Sequence, residues 1–285
     1  MNLIDLHVHS TISDGTFTPR EVAFYAKAKG LSAIALTDHD SMDGLDECIL
    51  AAKLVNLQVI PGIELTGHYK GQENHILGYY LDKTHPVLKN KLQELVLTRE
   101  ARNIKMLTNL IALGFELTPE DLYPVGTSKG VLTRAHFAKA LYTKGYASSI
   151  NDAFDKYLSS DKPAYVKRQS MDYTECIDLI HTAGGIAVIA HPHLYKFDTD
   201  TFGTFIQDMV ADGLDGIESI YPKYSDNETI QLFELCFTHN LISTGGCDFH
   251  GTNKPNLDIG TGYGHTHIPY EILQGLKHKW EARHL

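Results

Sequence analysis

Short apolar segments that end in histidine, aspartate or glutamate recur along this chain, and this recurrence limits the folds that are open to it. They lie near residues 3–8, 31–37, 58–65, 73–78, 186–190 and 241–244. Several are separated by helical patterns, the first of which opens with the capping box Thr18-Pro19-Arg20-Glu21. The alternation predicts an α/β architecture in which parallel strands, joined by helical crossovers, end on one rim.

The middle of the chain has a different pattern, which is mainly helical. One long helix is predicted to end near Gly114, and others to begin near Thr118, Thr133, Ile150 and Asp172. We therefore expect a barrel formed by residues 1–90 and 168–285, with an inserted helical subdomain at residues 91–167 that selects the substrate.

Composition excludes several classes of protein. With 43% hydrophobic residues among 285, the chain can bury a substantial core. A net charge of −10 argues against binding of duplex DNA, which depends on clustered Lys and Arg. The first residues, MNLIDLHVHS, lack a basic leader, no long apolar run follows, and the four cysteines form no CxxC pair. We expect a cytoplasmic protein without membrane segments or disulfides.

The first strand carries a candidate metal site. His7 and His9 are two residues apart near its end, so both side chains leave the same face, and Asp14 follows in a Ser-Asp-Gly turn. An isolated HxH pair is weak support, since surface or core histidines give the same pattern. The case becomes stronger because the later strand ends carry more ligand types, namely His39, Glu64, His75, His191, Asp248 and His250.

Taken together, these motifs resemble the PHP family, named for polymerase and histidinol phosphatase domains. The matching motifs are His7-Val8-His9-Ser10 with Asp14, Thr37-Asp38-His39, Gly62-Ile63-Glu64, His75, Ala190-His191-Pro192 and Asp248-Phe249-His250. They cover nearly the whole chain in the family's order. The insertion is similar to that of the stand-alone phosphoesterases, which include a nucleoside 3′,5′-bisphosphate phosphatase and enzymes that trim short RNA from the 5′ end.

The resemblance implies a distorted βα barrel that binds two to three divalent metal ions. One ion would be bound by His7, His9, Glu64 and Asp248, a second by Glu64, His75 and His191, and a third by Asp14, His39 and His250. Imidazole and carboxylate ligands suit Mn, Fe or Zn. Cys247 stands where the family often has serine, and we interpret it as a packing residue.

The expected reaction is hydrolysis of a phosphomonoester or phosphodiester by a metal-activated water, for which no nucleophilic side chain is required. Glu64 and Asp14, as metal ligands, and His193, as the acid that protonates the leaving group, form the predicted catalytic set. Alternatively, His193 hydrogen-bonds a carboxylate beside the ligands. Asp5 and Asp38 are predicted to orient the histidines.

Arginines in the insertion are the predicted substrate ligands, because a planar guanidinium binds phosphate oxygens in pairs. Arg99 and Arg102 share one face of the long helix, and Arg134 opens the helix after Thr133. A solvated helix face is the alternative reading of these charges. His193 is a further candidate for the substrate site, and Lys129 and His136 are weaker ones. The expected partner is a small phosphorylated molecule, such as a nucleotide or a short oligonucleotide.

Three other functions remain open from the sequence. The chain could be a phosphatase of the histidinol phosphate type, an amidohydrolase, or a noncatalytic module that binds metal for stability. An amidohydrolase commonly uses a bridging lysine, whereas this chain has Glu64 and an Asp-x-His ending. Its apparently complete ligand set argues against a noncatalytic role.

The number of bound metals tests the ligand set. Because nine ligands are predicted, the purified protein should bind about two to three divalent ions per chain after loading with Mn²⁺ or Zn²⁺. Elemental analysis gives the number, and a value below one ion per chain would contradict a multinuclear site.

Overall fold

A computed structural model describes residues 2–123, 132–167, 171–195 and 197–285. The chain forms two compact units. The first comprises Met1–Asn90 and Ser170–Leu285, and the second is Lys91–Gln169.

The first unit consists of strands and helices that alternate along much of the sequence. Its strands are β1 (Ile4–Val8), β2 (Ala33–Leu36), β3 (Gln58–Tyr69), β4 (Gln72–Tyr79), β5 (Met171–Asp172), β6 (Ile186–Ile189), β7 (Gly216–Ile220) and β8 (Ile242–Gly245). Its helices are α1 (Pro19–Ala28), α2 (Leu45–Leu54), α6 (Tyr173–Thr182), α7 (Thr199–Ala211), α8 (Asp226–Thr238) and α9 (Tyr270–Arg283).

The strands form a sheet that closes on itself. Its order is β1-β2-β3-β4-β6-β7-β8, and β5 pairs with the far end of β3. Closure occurs where the residues after β8 meet the end of β1: the His9 N–H donates to the Phe249 carbonyl at 2.9 Å, and the Phe249 N–H donates to the His7 carbonyl at 3.2 Å. The unit is a distorted βα barrel, which confirms the fold class predicted from the sequence.

Strand β4 differs from the parallel strands on either side of it, since it runs antiparallel to both β3 and β6. The turn between β3 and β4 explains the difference. Lys70 and Gly71 both have positive φ, 47° and 87°, which is the geometry of a tight hairpin turn. A two-residue turn of this kind can join only antiparallel neighbours. The parallel pairing predicted for the two βα-rich parts is confirmed, and β4 lies between them as an antiparallel strand whose direction the sequence did not predict.

Local signals place the ends of several helices correctly. The Thr18 side chain accepts from the Glu21 N–H, and the Glu21 carboxylate accepts from the Thr18 N–H, so the predicted capping box at α1 is confirmed.

Helix α9 was not predicted, yet its Leu273 and Leu276 belong to the barrel core with Ile4 and Tyr79. None of the helices in the described ranges is both long and apolar enough to cross a membrane.

The second unit is helical in its described residues. It holds most of α3 (Pro86–Ala112), a 3₁₀ turn (Pro119–Leu122), α4 (Arg134–Thr143) and α5 (Ile150–Ala153), which a π-helical turn continues to Leu158. Its core is built around Phe137 and Leu141 of α4 and Met106 and Leu110 of α3. The role in substrate selection that the sequence suggests for this segment stays a prediction.

Helix α4 allows a matched test of this core. Phe137 is fully buried, whereas Tyr142 on the same helix is 50% exposed. Phe137→Ala should lower the free energy of unfolding of this unit by about 3–5 kcal/mol, because the truncation leaves a cavity, whereas Tyr142→Ala should have a small effect. Amide hydrogen exchange along α4 measures both changes. Similar losses in the two variants would show that Phe137 is not central to the core.

Candidate metal centre

The carboxylate of Glu64, in the middle of β3, is the centre of a buried cluster at the rim of the barrel. Its Oε2 atom lies 3.3, 3.2 and 3.0 Å from ring nitrogens of His7, His9 and His39. Its Oε1 atom lies 2.9 and 3.2 Å from ring nitrogens of His75 and His191. A single buried side chain therefore contacts histidines from several strand ends.

Two aspartates extend the cluster around His9 and His250. The His250 Nε2 atom lies 3.1 Å from Asp14 Oδ1, and His39 approaches the other oxygen of Asp14 at 3.8 Å. Asp248 Oδ1 lies 3.4 Å from His9 Nε2 and 3.2 Å from His250 Nδ1. The nine predicted metal ligands are thus neighbours in space, although they lie as far apart in sequence as His7 and His250.

The backbone brings these side chains together through unusual local conformations. His191 and Asp248 have positive φ, 32° and 55°, where each strand gives way to a loop. Gly246 precedes the Asp248 turn and lies against β1. A Cβ atom at this position would be only 2.1 Å from the Cβ of His7, so glycine is required for the close approach.

Two further carboxylates organise the loops that carry the ligands. Asp38 accepts hydrogen bonds from the backbone and side chains of Ser10 and Ser13, and the Ser13 hydroxyl lies 3.3 Å from His9 Nδ1. Asp5 accepts backbone N–H groups of His7, Cys247 and Gly260. Asp5 therefore acts on the backbone beside the ligands rather than on an imidazole.

Sequence reasoning missed three residues that contact the ligands. Glu218, inside β7, binds His7 Nδ1 and the His191 N–H. Tyr221 donates to Asp248 Oδ2 at 2.8 Å, and Lys254 contacts the same oxygen. A carboxylate in a short strand that also holds Ile217 and Ile220 was a readable signal for Glu218, because such a group needs a buried partner. Tyr221 and Lys254 lie in loops without any distinctive local pattern.

Electrostatics within the cluster favour ionised carboxylates. Burial alone would raise the pKa of Glu64, but His75, His39 and His7 outweigh it and hold this pKa well below its usual range. Burial likewise opposes charge on the histidines, yet Asp248 and Glu64 raise the pKa of His9 to about 9. His250 behaves oppositely, because burial together with Lys254 lowers its pKa to about 4. Without a cation, protons on imidazoles compensate the buried negative charge.

The donor set fits divalent metal ions. The described residues form four overlapping groups whose ligand atoms lie within 4.8 Å of one another: His9, Asp14, His39 and His250; His7, His9 and Asp248; His7, Glu64 and His191; and His39, Glu64 and His75. Within the described part of the chain, buried Nε2 atoms of His7 and His9 lack a hydrogen bond of acceptable geometry. Buried nitrogens aimed at carboxylates, without thiolates, are the ligands expected for Mn, Fe or Zn.

His193 lies in different surroundings. Its ring stacks on Phe202 at 4.8 Å and meets the edge of Tyr224 at 5.3 Å. It lines a cavity of about 500 Å³ between the start of α7 and the face of α8. Burial lowers the pKa of His193. Its assignment as the general acid and as a substrate ligand stays a prediction.

The predicted substrate arginines belong to the second unit. Arg99 and Arg102 are only 5% and 6% exposed, so the alternative of a solvated helix face is wrong for both. The Arg134 guanidinium lies 5.8 Å from the centre of the Tyr165 ring. His136 caps its own helix by binding Thr133, and Lys129 lies outside the described residues.

The barrel and its cluster of histidines and carboxylates define a metal-dependent phosphoesterase. Residues 5–185 match the PHP domain family, and the chain belongs to this family. A 5′-3′ exoribonuclease of Haemophilus influenzae is 36% identical over 246 residues, which are 86% of this chain and 89% of the relative. A 3′,5′-nucleoside bisphosphate phosphatase of Chromobacterium violaceum is 32% identical over 280 residues, 98% of this chain and 97% of the relative.

A solved structure supports the same assignment. A candidate metal-dependent phosphoesterase from Bifidobacterium adolescentis superposes with a TM-score of 0.86 at 27% identity, covering 98% of this chain and 96% of that one. The resemblance noted from the motifs is confirmed, and the chain is an enzyme that hydrolyses phosphoric esters.

Glu64 and Cys247 offer a contrast within the barrel, since both are fully buried but only Glu64 belongs to a ligand group. Glu64→Gln replaces the central carboxylate by a neutral amide and should reduce phosphomonoester hydrolysis by at least about a hundredfold. Cys247→Ser should retain most activity. Steady-state rates with added Mn²⁺ measure both, and similar rates would remove Glu64 from its central role.

Proposed function

We propose that the enzyme hydrolyses a phosphomonoester or phosphodiester bond in a small nucleotide. The substrate class is a nucleoside 3′,5′-bisphosphate or a short 5′-phosphorylated oligonucleotide. The observation that carries the proposal is the position of Glu64, whose two oxygens face two different sets of histidines. The names of the two relatives support a nucleotide or RNA substrate.

Three ligand sets are proposed, and Glu64 belongs to the first two of them. His7, His9, Glu64 and Asp248 would hold one divalent ion, Glu64, His75 and His191 a second, and Asp14, His39 and His250 a third. Two of the four groups of neighbouring ligand atoms support the first set without Glu64 and the third set, and Glu64 lies with His191 and with His75 in the other two groups. When bound, such ions polarise a phosphoryl oxygen and activate a water molecule for attack on phosphorus.

Residues around Asp248 would keep this ligand in one orientation. Its Oδ1 faces His9 and His250, while its Oδ2 accepts from Tyr221 and contacts the ammonium of Lys254. The two oxygens thus have separate roles, one inside the cluster and one anchored outside it. His250 is oriented as well, because its Nδ1 donates to the Asp248 carbonyl at 2.8 Å and leaves Nε2 facing Asp14.

We propose further that Arg99, Arg102 and Arg134 bind a second phosphate of the substrate. Guanidinium groups form paired hydrogen bonds with phosphate oxygens, and binding at a remote phosphate can align the reacting one. The proposal rests on guanidinium chemistry and on the place of the three arginines in the inserted segment.

A substrate screen separates the proposed function from its alternatives. The purified protein, loaded with Mn²⁺, should release phosphate or nucleotides from nucleoside bisphosphates or short 5′-phosphorylated RNA faster than from histidinol phosphate. Amide substrates should be inert. Turnover of histidinol phosphate or an amide in preference to every nucleotide would replace the proposal, and metal binding without turnover of any substrate would favour a noncatalytic module.

Arg134→Ala tests the second phosphate site. Loss of one charge-assisted contact, worth about 1.5–3 kcal/mol, should lower kcat/KM for a bisphosphate by about ten- to a hundredfold. A small activated phosphoester without a second phosphate should be hydrolysed at nearly the wild-type rate. Lys105→Ala removes an exposed positive charge from the same unit and serves as the control. Equal losses on both substrates would mean that Arg134 supports the fold or the metal site instead.

A further inference from the structure

Glu218 is a fully buried carboxylate in the interior of β7, and both of its oxygens contact the cluster. Its Oε1 lies 2.9 Å from His7 Nδ1, and its Oε2 accepts the backbone N–H of His191 at 2.8 Å. It belongs to none of the four ligand groups of the described residues. Glu218 therefore contributes to the site by holding His7 and His191 in place.

At His7 the contact selects one ring nitrogen for the cluster. An ionised carboxylate can only accept, so Nδ1 of His7 carries the proton and donates it to Glu218. In the metal-bound form the lone pair would then lie on Nε2, which faces Glu64 Oε2 at 3.3 Å and Asp248 Oδ1 at 3.8 Å. This is the form of imidazole that binds a metal through Nε2.

At His191 the contact supports a backbone conformation. This residue has a φ of 32°, a backbone conformation that residues other than glycine seldom adopt. The hydrogen bond from its N–H to Glu218 holds the chain in this turn as it leaves β6. The turn places His191 Nε2 3.2 Å from Glu64 Oε1.

We propose that Glu218 is a positioning residue that pre-sets His7 and His191, two ligands from distant parts of the chain, for divalent ions. In the proposed ligand sets His7 would bind one ion and His191 another, and Glu64, which lies in one ligand group with both histidines, belongs to both sets. This inference rests on the proposed function only in requiring that the cluster binds divalent metal.

A glutamine at this position cannot replace the carboxylate. An amide has one accepting oxygen, whereas Glu218 serves two donors, the His7 ring and the His191 N–H. If the amide nitrogen faced His7, it would donate to Nδ1 and move the ring proton to Nε2, towards Glu64. If it faced His191 instead, two N–H groups would oppose each other and the turn would lose its hydrogen bond.

The chain offers a matched control in Asp215, a second buried carboxylate immediately before β7. Asp215 accepts the Ala187 N–H at 2.9 Å and binds Arg283 and His181, and it belongs to none of the ligand groups of the described residues. Asp215→Asn therefore changes a buried carboxylate on the same segment without altering any contact of the ligands.

Metal affinity is the primary measurement. Metal-free wild type, Glu218→Gln and Asp215→Asn would be titrated calorimetrically with Zn²⁺ or Mn²⁺, with circular dichroism in chelator as the measure of folding. Glu218→Gln should weaken binding of at least one ion by about ten- to a hundredfold, while Asp215→Asn binds like the wild type. Wild-type affinity in Glu218→Gln, or equal weakening in both variants, would overturn the inference.

A second measurement does not depend on any variant being folded. In Zn²⁺-loaded wild type, ¹⁵N NMR of the histidine rings should show His7 protonated at Nδ1 and bound to metal through Nε2. The opposite arrangement would overturn the proposed role of Glu218. A wild type that binds no metal would refute the proposed function and this inference together, whereas loss of affinity confined to Glu218→Gln supports both.

Discussion

The contact between the Glu64 carboxylate and five imidazoles is the constraint on which the rest of this structure depends. A fully buried carboxylate is strongly unfavourable unless positive charge or hydrogen-bond donors surround it. The histidines supply these from β1, β4 and the loops after β2 and β6. The barrel must therefore close accurately at this rim, and the carboxylate must always be accompanied by protons or metal ions.

A second layer of polar groups holds the ligands in position. Asp5 and Asp38 bind the backbone and serine side chains of the first loop, Tyr221 and Lys254 bind the outer oxygen of Asp248, and Glu218 binds His7 and His191. Such partners select the tautomer of an imidazole and restrict the rotation of a carboxylate. Buried polar residues thus orient several of the ligands, namely His7, His9, His191 and Asp248.

The candidate ligands and the candidate substrate arginines lie in different units of the chain. The barrel contains all nine candidate ligands, and relatives with differently named activities align with most of this chain at 36% and 32% identity. Chemistry common to phosphoric esters belongs to this unit, because it depends on the metals rather than on the rest of the substrate. The helical unit carries Arg99, Arg102 and Arg134, and its role in discriminating between phosphorylated molecules is part of the proposed function.

The sequence by itself determined the α/β fold class, the helix caps and the nine candidate ligands. These features are recorded in short stretches: His7 and His9 share a face because of strand periodicity, and Glu21 caps a helix three residues after Thr18. Only the tertiary structure decided that β4 runs antiparallel, that Arg99 and Arg102 are buried, and that His193 packs against Phe202. It also revealed Glu218, whose partner His7 is 211 residues away. Contacts of this kind depend on how the sheet closes and on which loops meet at its rim. Neither can be predicted from a local pattern of residues.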